Sequence, residues 1–410
     1  MAIGVAFLPV GSRGIGYIAA NVTATLAMTV AYRSVVSNRD IWWLGSAGIL
    51  ARLLLVAVPP YTTHDVARYM FDGAMAVAGL DPYSVANGSP RALPLHLIWP
   101  SAIEHAAYPT IYPPLAVALF SLCARFGPAY AWLVWKLIVG LASSAIVLVA
   151  ARFASSRRLT VLVALSPLLL FEGGIGGHLD VLCALAVTLA LTSERPQVQG
   201  AWLGVGVLVK LTPAFIVVPL VAGMWRAERR AALMLLVGFL LVIVTGYVVA
   251  NQLGFQALGS LQVFFTKWSF GSPWMLVEDM IGMPRSQLLR IGTVVALVML
   301  AMSAKAAWCR SRSVALMLAA CAPLLASPVV FPWYLCTAAV LLAFELSPYV
   351  FGWMVLAPFT YEVIDRFDVD GSWFPALWPV QLTVALTGVL LILRPHEALF
   401  CRSSRSESKP

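Results

Sequence analysis

The sequence predicts an all-α polytopic membrane protein, because it is rich in apolar residues, poor in charge and built from long apolar runs. Of the 410 residues, 61% are hydrophobic and 11% are charged, whereas a soluble domain carries about 25% charged residues. The mean hydropathy is +0.88, which excludes the water-soluble enzyme classes. Each apolar run is expected to be helical, because an open backbone cannot cross lipid unpaired.

The apolar runs predict a bundle of about 13 transmembrane helices, within a range of about 11–13. The candidate spans are 14–33, 41–60, 129–151, 159–175, 178–193, 198–210, 211–225, 231–251, 286–304, 313–328, 333–346, 347–362 and 375–394. The whole chain, 1–410, is predicted to form one integral-membrane domain. Residues 61–111 form its large exoplasmic loop, which contains juxtamembrane helices and the candidate catalytic residues, and residues 401–410 form a cytoplasmic polar tail.

Basic residues collect on one set of loops, which the positive-inside rule places in the cytoplasm. That set holds most of the 27 Lys and Arg residues: Arg33, Arg39, Arg152, Arg157, Arg158, Arg195, Arg226, Arg229, Arg230, Lys305, Arg310, Arg312 and the tail from Arg394. The net charge of +9 therefore reflects membrane insertion, and no nucleic-acid partner is expected. Most of the 18 acidic residues lie on the opposite side, where we expect the chemistry.

Residues 111–126 are apolar but form a segment too short for an ordinary crossing. If this segment crossed the membrane, Arg152, Arg157 and Arg158 would move to the outside, against the charge rule. The segment is therefore predicted to be a half-inserted helix that returns to the same face. The N-terminus then lies outside and the C-terminus lies inside.

Two apolar runs are interrupted in the middle. The run 159–193 is broken by the glycine-rich turn Glu172–His178, and the run 198–225 is broken at Lys210–Pro213. The helices on either side are shorter than the roughly 20 residues that a crossing needs, so their ends must lie below the membrane surface. Irregular backbone at that depth occurs where it lines a cavity, which predicts a recessed exoplasmic cavity.

The exoplasmic loop opens with a charged helix. Residues 65–79 are predicted to be helical with Thr63 as N-cap, and Asp65, Arg68 and Asp72 then share one face. A partly desolvated carboxylate at a helix start is a reasonable general base. The alternative is that Asp65 is an acid that pairs with Arg68 and caps a surface helix.

Lys210 and His178 lie at the two interruptions, and each allows two interpretations. A buried ammonium needs an anionic partner, so Lys210 is expected to pair with Asp65, Asp180 or a lipid phosphate, or else to snorkel to the outer headgroups. His178 either contacts the phosphate or sugar of a ligand or pairs with Asp180 or Glu172 inside the bundle.

Further charged and aromatic residues lie near the predicted membrane interfaces. Lys267 and Trp268 belong to the segment 264–274, and Trp333 and Tyr334 begin a later helix. These groups either anchor the protein at the interface or stack on a sugar ring. Arg52 and Lys136 are charges within predicted spans, for which pairing or snorkelling is expected. No cluster has metal-ligand spacing, so neither a tight metal site nor another cofactor is predicted, although a loosely bound divalent cation stays open.

The motifs occur in an order that resembles a known family. From Asp65 onward they read D-x-x-R-Y-x-x-D-G, G-x-D-P-Y, Y-P-P-L, G-H-x-D, K-L-T-P, W-S-F-G-S and S-P-x-x-F-P-W-Y. Over about residues 60–340 the chain resembles the GT-C integral-membrane glycosyltransferases, specifically the bacterial polyprenol-phosphate-mannose-dependent α-mannosyltransferases. It departs from them at Leu179, where members often have Asn, and at Phe331, where they often have His.

The resemblance implies an inverting transfer of a sugar, mannose at the level of the family, from a polyprenyl-phosphate donor on the exoplasmic face of the bacterial cytoplasmic (inner) membrane. The acceptor would be a lipid-linked glycan or glycolipid, and Asp65 would be the general base. The positive charge that binds the donor phosphate would come from Lys210, Arg68 and His178. The remaining candidate substrate contacts are Asp72, Tyr69, Asp180, Lys267, Trp268, Trp333 and Tyr334. Membrane lipids are the other expected partners, and a monomer is expected.

A lipid or sugar transporter, or flippase, of the cell envelope is the alternative function. Transporters often contain matching interrupted helices in corresponding halves of the chain. Here the two interrupted runs, 159–193 and 198–225, are adjacent, and the acidic loop precedes both of them. The sequence therefore favours the enzyme.

Overall fold

A computed structural model describes residues 2–99, 106–257, 259–260, 263 and 267–393. Within these residues the chain is helical and forms no strand, which confirms the all-α class. The α-helices are α1 Ala2–Val5, α2 Arg13–Ser34, α3 Asn38–Leu55, α4 Asp65–Val77, α5 Leu93–His96, α6 Pro114–Ala124, α7 Ala131–Phe153, α8 Leu159–Ala164, α9 Pro167–Phe171, α10 Asp180–Thr192, α11 Pro196–Val209, α12 Ala214–Ala227, α13 Arg229–Gln252, α14 Trp274–Ile281, α15 Arg285–Trp308, α16 Arg312–Ala326, α17 Cys336–Ala339, α18 Pro348–Leu356, α19 Glu362–Asp370 and α20 Trp378–Leu393. The predicted tail 401–410 lies outside the described residues.

Four of these helices, α2, α7, α13 and α15, are long and apolar enough to cross a membrane. Among the other described helices, several are apolar but only 10–17 residues long. At about 1.5 Å per residue, these helices are shorter than a hydrocarbon core of about 30 Å. The molecule is therefore built as a membrane protein, and the total of about 13 spans stays a prediction.

Both predicted interruptions are present. A single π-helical turn, Glu172–Gly176, follows α9, and Gly177 then adopts a left-handed conformation (φ +65°) before α10. Lys210 is extended between α11 and α12. The chain also breaks around α17, where short 3₁₀ turns precede and follow the helix.

The short segment 111–126 contains helix α6, which has 11 residues. Such a helix is about 16 Å long, roughly half of the hydrocarbon thickness. It packs closely on α4, because a Cβ atom at Gly73 would lie 2.3 Å from the carbonyl oxygen of Phe120. This length fits the half-inserted helix that the sequence predicts.

The buried cations Arg52 and Lys136 bind the ends of helices. The Arg52 guanidinium donates to Ser143 Oγ at 2.8 Å and to the carbonyl oxygens of Gly48, Val163 and Ala164. Lys136 Nζ donates to the carbonyl oxygens of Leu55, at 3.2 Å, and Val58. The last carbonyls of a helix lack intrahelical partners and carry partial negative charge, so these cations tie α3 to α7 and α8.

Asp365 connects the two ends of the chain. Its carboxylate accepts hydrogen bonds from the backbone N–H groups of Gly14, at 2.6 Å, and Ile15, at 2.9 Å. The first N–H groups of a helix have no partner within it, so a residue of α19 caps α2. This contact holds the C-terminal segment beside the N-terminal helix.

Helices α11 and α13 pack through glycine. A Cβ atom at Gly200 would lie 1.9 Å from the carbonyl oxygen of Leu235, and one at Gly238 would lie 2.1 Å from that of Gln197. Gly204, four residues after Gly200, faces the same helix. Small residues at this spacing let two membrane helices approach until their backbones touch.

The variant Gly200→Ala should lower the free energy of unfolding by about 1–3 kcal/mol, the usual cost of overpacking. Its added methyl group has no room against α13. Thermal unfolding in detergent measures the change, and Gly388→Ala is the matched control, because a Cβ atom there meets nothing within 4 Å. Equal stability of the two variants would contradict this packing.

Candidate active site

A cavity of about 400 Å³ lies where the two interrupted runs meet, with Leu179 and Lys210 both in its wall. This volume lies within the usual range for small-molecule sites, about 300–1,000 Å³. The rest of the wall comes from the loop before α4, helix α4, the segment before α6, residues 260 and 268–270, the segment after α16, the start of α2, and helix α19 with Trp373. Aromatic side chains dominate the lining, and a few charged groups interrupt them.

Asp65 is the first residue of α4, which ends two residues before the predicted boundary. The predicted N-cap, Thr63, is wrong by one residue, because His64 occupies the N-cap and makes no side-chain cap hydrogen bond. Thr63 lies just before it, and its Oγ1 accepts from the Asp65 N–H at 3.0 Å. The Asp65 side chain is 23% exposed and lines the cavity. Tyr69 OH donates to Asp65 Oδ2 at 3.3 Å, and this contact orients the carboxylate.

Arg68 lies one turn further along α4 and is also one of the residues that line the cavity. Its Nε donates to Asp72 Oδ1 at 3.0 Å, and its Nη2 donates to the carbonyl oxygen of Tyr108 at 2.8 Å. Asp72 is fully buried, so its carboxylate fixes the position of Arg68 from the interior of the protein. The structure therefore pairs Arg68 with Asp72 at the edge of the cavity.

Lys210 finds its anionic partner in Asp180, one of the three that the sequence allows. Lys210 Nζ donates to Asp180 Oδ1 at 2.7 Å and to Oδ2 at 2.9 Å. It also lies 3.5 Å from the centroid of the Tyr334 ring, a cation–π contact. The Lys210 side chain is 20% exposed, so this paired cation still forms part of the cavity wall.

His178 lies behind Asp65. Its ring is fully buried, with Nδ1 3.4 Å from Asp65 Oδ2 and Nε2 3.4 Å from Glu172 Oε2. Trp333 stacks on the imidazole at 3.8 Å between ring centroids. At these distances neither ring nitrogen forms a hydrogen bond, but both face carboxylates. Of the two interpretations from sequence, this position favours the one inside the bundle, beside Glu172, and it adds Asp65 as a second neighbour.

Glu172 is fully buried and accepts hydrogen bonds from two tyrosines. Tyr17 OH donates to Oε1 at 2.6 Å, and Tyr361 OH lies 2.9 Å from both carboxylate oxygens. No role was predicted for either tyrosine from the sequence. The available signal was a hydroxyl-bearing ring in a predicted span, which is weak because tyrosine is also common at membrane interfaces.

The predicted aromatic contacts come together at the cavity. Trp268, Trp333 and Tyr334 line it, whereas Lys267 donates to the hydroxyl of Tyr108, another lining residue, at 2.8 Å. Trp268 meets the Tyr108 ring edge-on at 5.2 Å. Flat aromatic faces of this kind suit a sugar ring or an isoprenoid chain.

Further residues of the cavity wall were not found from sequence. Arg13, His64 and Asp368 line one part of the wall; burial raises the pKa of Asp368, and the charges of Arg13 and His64 act in the opposite direction. Burial also raises the pKa of Tyr112 well above its usual value, so its hydroxyl stays protonated at neutral pH. Within the described part of the chain, no three His, Cys, Asp or Glu side chains are grouped to hold a metal ion.

Comparison with known proteins identifies the family. The family model of glycosyltransferase family 87 matches residues 110–332, which include His178, Asp180 and Lys210 and leave out Asp65. No curated protein and no solved structure matches the chain. Since more than half of the 410 residues fall within the match, this chain belongs to glycosyltransferase family 87.

Proposed function

We propose that this glycosyltransferase moves a sugar, expected to be mannose, from a polyprenyl-phosphate donor to a lipid-linked or glycan acceptor with inversion. The observation that carries the proposal is one cavity whose wall contains a carboxylate, Asp65, and two cations, Lys210 and Arg68. A sugar linked to a lipid phosphate needs a base for the acceptor hydroxyl and positive charge for the phosphate. The cavity offers both, beside aromatic surfaces for the sugar and the lipid.

The reaction is a single displacement. Asp65 takes the proton of an acceptor hydroxyl while the hydroxyl oxygen forms a bond to the anomeric carbon. The bond between that carbon and the phosphate oxygen breaks, and its electron pair leaves with the polyprenyl phosphate. A phosphate monoester is a good leaving group, so the site does not need a strong general acid to protonate it. What the site needs is positive charge near the phosphate.

Both cations are held by buried carboxylates. Lys210 pairs with Asp180, and Arg68 pairs with Asp72. Each pair presents N–H donors in a fixed direction without an uncompensated buried charge, which would be strongly unfavourable. A loosely bound divalent cation would add to the same positive charge.

We place the reaction on the exoplasmic face of a bacterial cytoplasmic membrane, with a single chain surrounded by lipid as the working unit. The loops rich in Lys and Arg are expected to be cytoplasmic. The cavity is lined by Asp65 and Asp368, which the sequence places on the opposite side of the membrane, and this supports the orientation. A transporter or flippase is the less favoured alternative, because the family that matches the chain consists of glycosyltransferases.

The variant Asp65→Asn should lower kcat by at least about 10²-fold, the usual contribution of a general base. Purified protein is assayed against a panel of polyprenyl-phosphate sugars, with mannose first. The control is Asp279→Asn, an exposed acid of α14, which should keep wild-type turnover. Turnover close to wild type in Asp65→Asn would exclude Asp65 as the base.

The variant Lys210→Met should raise the KM for the donor about 10–100-fold, as expected when a hydrogen bond to a charged group is lost. Because Lys210 also neutralises Asp180, the double variant Lys210→Met/Asp180→Asn is the matched control. If Lys210 binds the donor phosphate, the KM stays raised in the double variant. A return of the KM to the wild-type value would show that Lys210 serves only to compensate Asp180.

Two introduced cysteines test the orientation. Ser84 and Ser156 are both exposed, one in the loop that follows α4 and the other in the basic loop that follows α7. In intact cells an impermeant maleimide should label Ser84→Cys, and it should label Ser156→Cys only after permeabilisation. The reverse pattern would place the cavity on the cytoplasmic face.

A further inference from the structure

We propose that His178 and Glu172 form, with Asp65, a carboxylate–imidazole–carboxylate series in which His178 is a positioning residue that shares the proton taken by Asp65. This inference rests on the proposed function, because it assigns a role behind the base of that reaction. It replaces the phosphate contact that the sequence suggested for His178. Asp65 begins α4, Glu172 begins the π-helical turn, and His178 lies at the end of the glycine-rich turn.

The first support is the order of exposure along the series. The Asp65 side chain is 23% exposed, whereas the His178 side chain is 0% exposed and that of Glu172 is 1% exposed. A substrate in the cavity therefore reaches Asp65 first. His178 is separated from the cavity and contacts Asp65 only on the far side of the carboxylate, through Nδ1. An imidazole in this position acts through Asp65 and not on the substrate.

The second support is the surroundings of Glu172. Tyr17 and Tyr361 both donate to its carboxylate, and His178 Nε2 lies 3.4 Å from Oε2. A carboxyl group that accepts from two hydroxyl groups and faces a ring nitrogen on a third side is arranged as the ionised acceptor. The hydrogen of the neutral imidazole then belongs on Nε2, which leaves the Nδ1 lone pair facing Asp65. This tautomer follows from the donors around Glu172.

The third support is that the local backbone is shaped around the imidazole. A Cβ atom at Gly176 would lie 2.5 Å from His178 Cδ2 and 2.7 Å from Nε2. Gly177 is left-handed, and its carbonyl oxygen accepts from Trp135 Nε1 at 2.7 Å. Trp333 covers one face of the ring. The glycines therefore admit His178 to the narrow space between the two carboxylates.

The proton balance follows from this arrangement. The acceptor O–H bond breaks, its proton joins the Asp65 carboxylate, and the electron pair of that bond forms the new bond to the anomeric carbon. The protonated Asp65 then donates to the Nδ1 lone pair, so its new proton lies between Oδ2 and Nδ1. Sharing the proton in this way stabilises the state that forms as the acceptor is deprotonated.

Other charged groups surround the series, and their charges must be held constant in any test of pH dependence. Ionisable groups face it from every neighbouring element: Tyr17 of α2, Tyr61 before α4, Tyr69 of α4, Tyr112 before α6, Asp180 of α10, Lys210 between α11 and α12, Tyr334 after α16, Cys336 of α17 and Tyr361 before α19. Asp180 and Lys210 neutralise each other. The two carboxylates on either side of His178 are therefore the dominant charges near the ring.

The test is the pH dependence of kcat in His178→Gln, with Glu172→Gln as a second variant. In His178→Gln we expect kcat to fall about 10–100-fold while the KM for the donor stays within about twofold. The acid limb of the kcat profile should move to lower pH by about one unit or more. A free imidazole takes up a proton near pH 6.5, whereas a free carboxyl does so only near 3.9.

In Glu172→Gln the charge that fixes the tautomer is lost, so the same limb should move in the same direction by a smaller amount. The histidine control is His96→Gln, which lies in the exoplasmic loop and contacts the carbonyl oxygen of Asn87. This variant should keep the wild-type profile. Thermal unfolding in detergent establishes that each variant is folded before it is assayed.

Each remaining outcome overturns one proposal. A lower kcat in both variants with an unchanged acid limb would show a purely structural role for His178 and would overturn this inference. A raised KM for the donor with an unchanged kcat would restore the phosphate contact and overturn it as well. Full turnover in Asp65→Asn, in contrast, would overturn the proposed base itself, so the two failures are distinguishable.

Discussion

The buried carboxylate of Glu172 is the constraint on which the centre of this bundle depends. An ionised carboxylate among apolar helices is strongly unfavourable unless donors surround it. The donors come from α2 through Tyr17 and from the 3₁₀ turn Ala357–Tyr361 through Tyr361, and the imidazole of His178 lies 3.4 Å away on another side. One acid therefore fixes the N-terminal helix, the C-terminal segment and the glycine-rich turn relative to one another, and with them the floor beneath Asp65.

Features with a large local energetic cost could be predicted from the sequence. The breaks at Glu172–His178 and at Lys210 were visible because glycine, proline and charge interrupt apolar runs, and both are present. The start of α4 at Asp65 was also predicted, although the residue at its N-cap is His64 and not Thr63. That Lys210 needs either an anion or access to the headgroups was also predicted, since a lone ammonium inside a membrane protein is costly.

The identity of the partners could not be predicted, because it depends on tertiary packing. Lys210 had three candidate anions, and only the placement of α10 beside α11 selects Asp180. Arg52 and Lys136 were expected to pair or snorkel, yet they bind backbone carbonyls at the ends of other helices. Such carbonyls exist at every helix end, so no residue pattern marks the ones that a cation will use.

The same pairing that stabilises Lys210 also suits it to the transfer that we propose. In the donor the phosphate is a diester with one negative charge, and on leaving it becomes a monoester with more charge. Only interactions that strengthen during this change accelerate the reaction. A lysine already held by Asp180 and Tyr334 keeps its position both when it binds the diester and as charge develops on the leaving phosphate. No reorganisation of the lysine is then needed during the transfer, which is the condition for efficient electrostatic stabilisation.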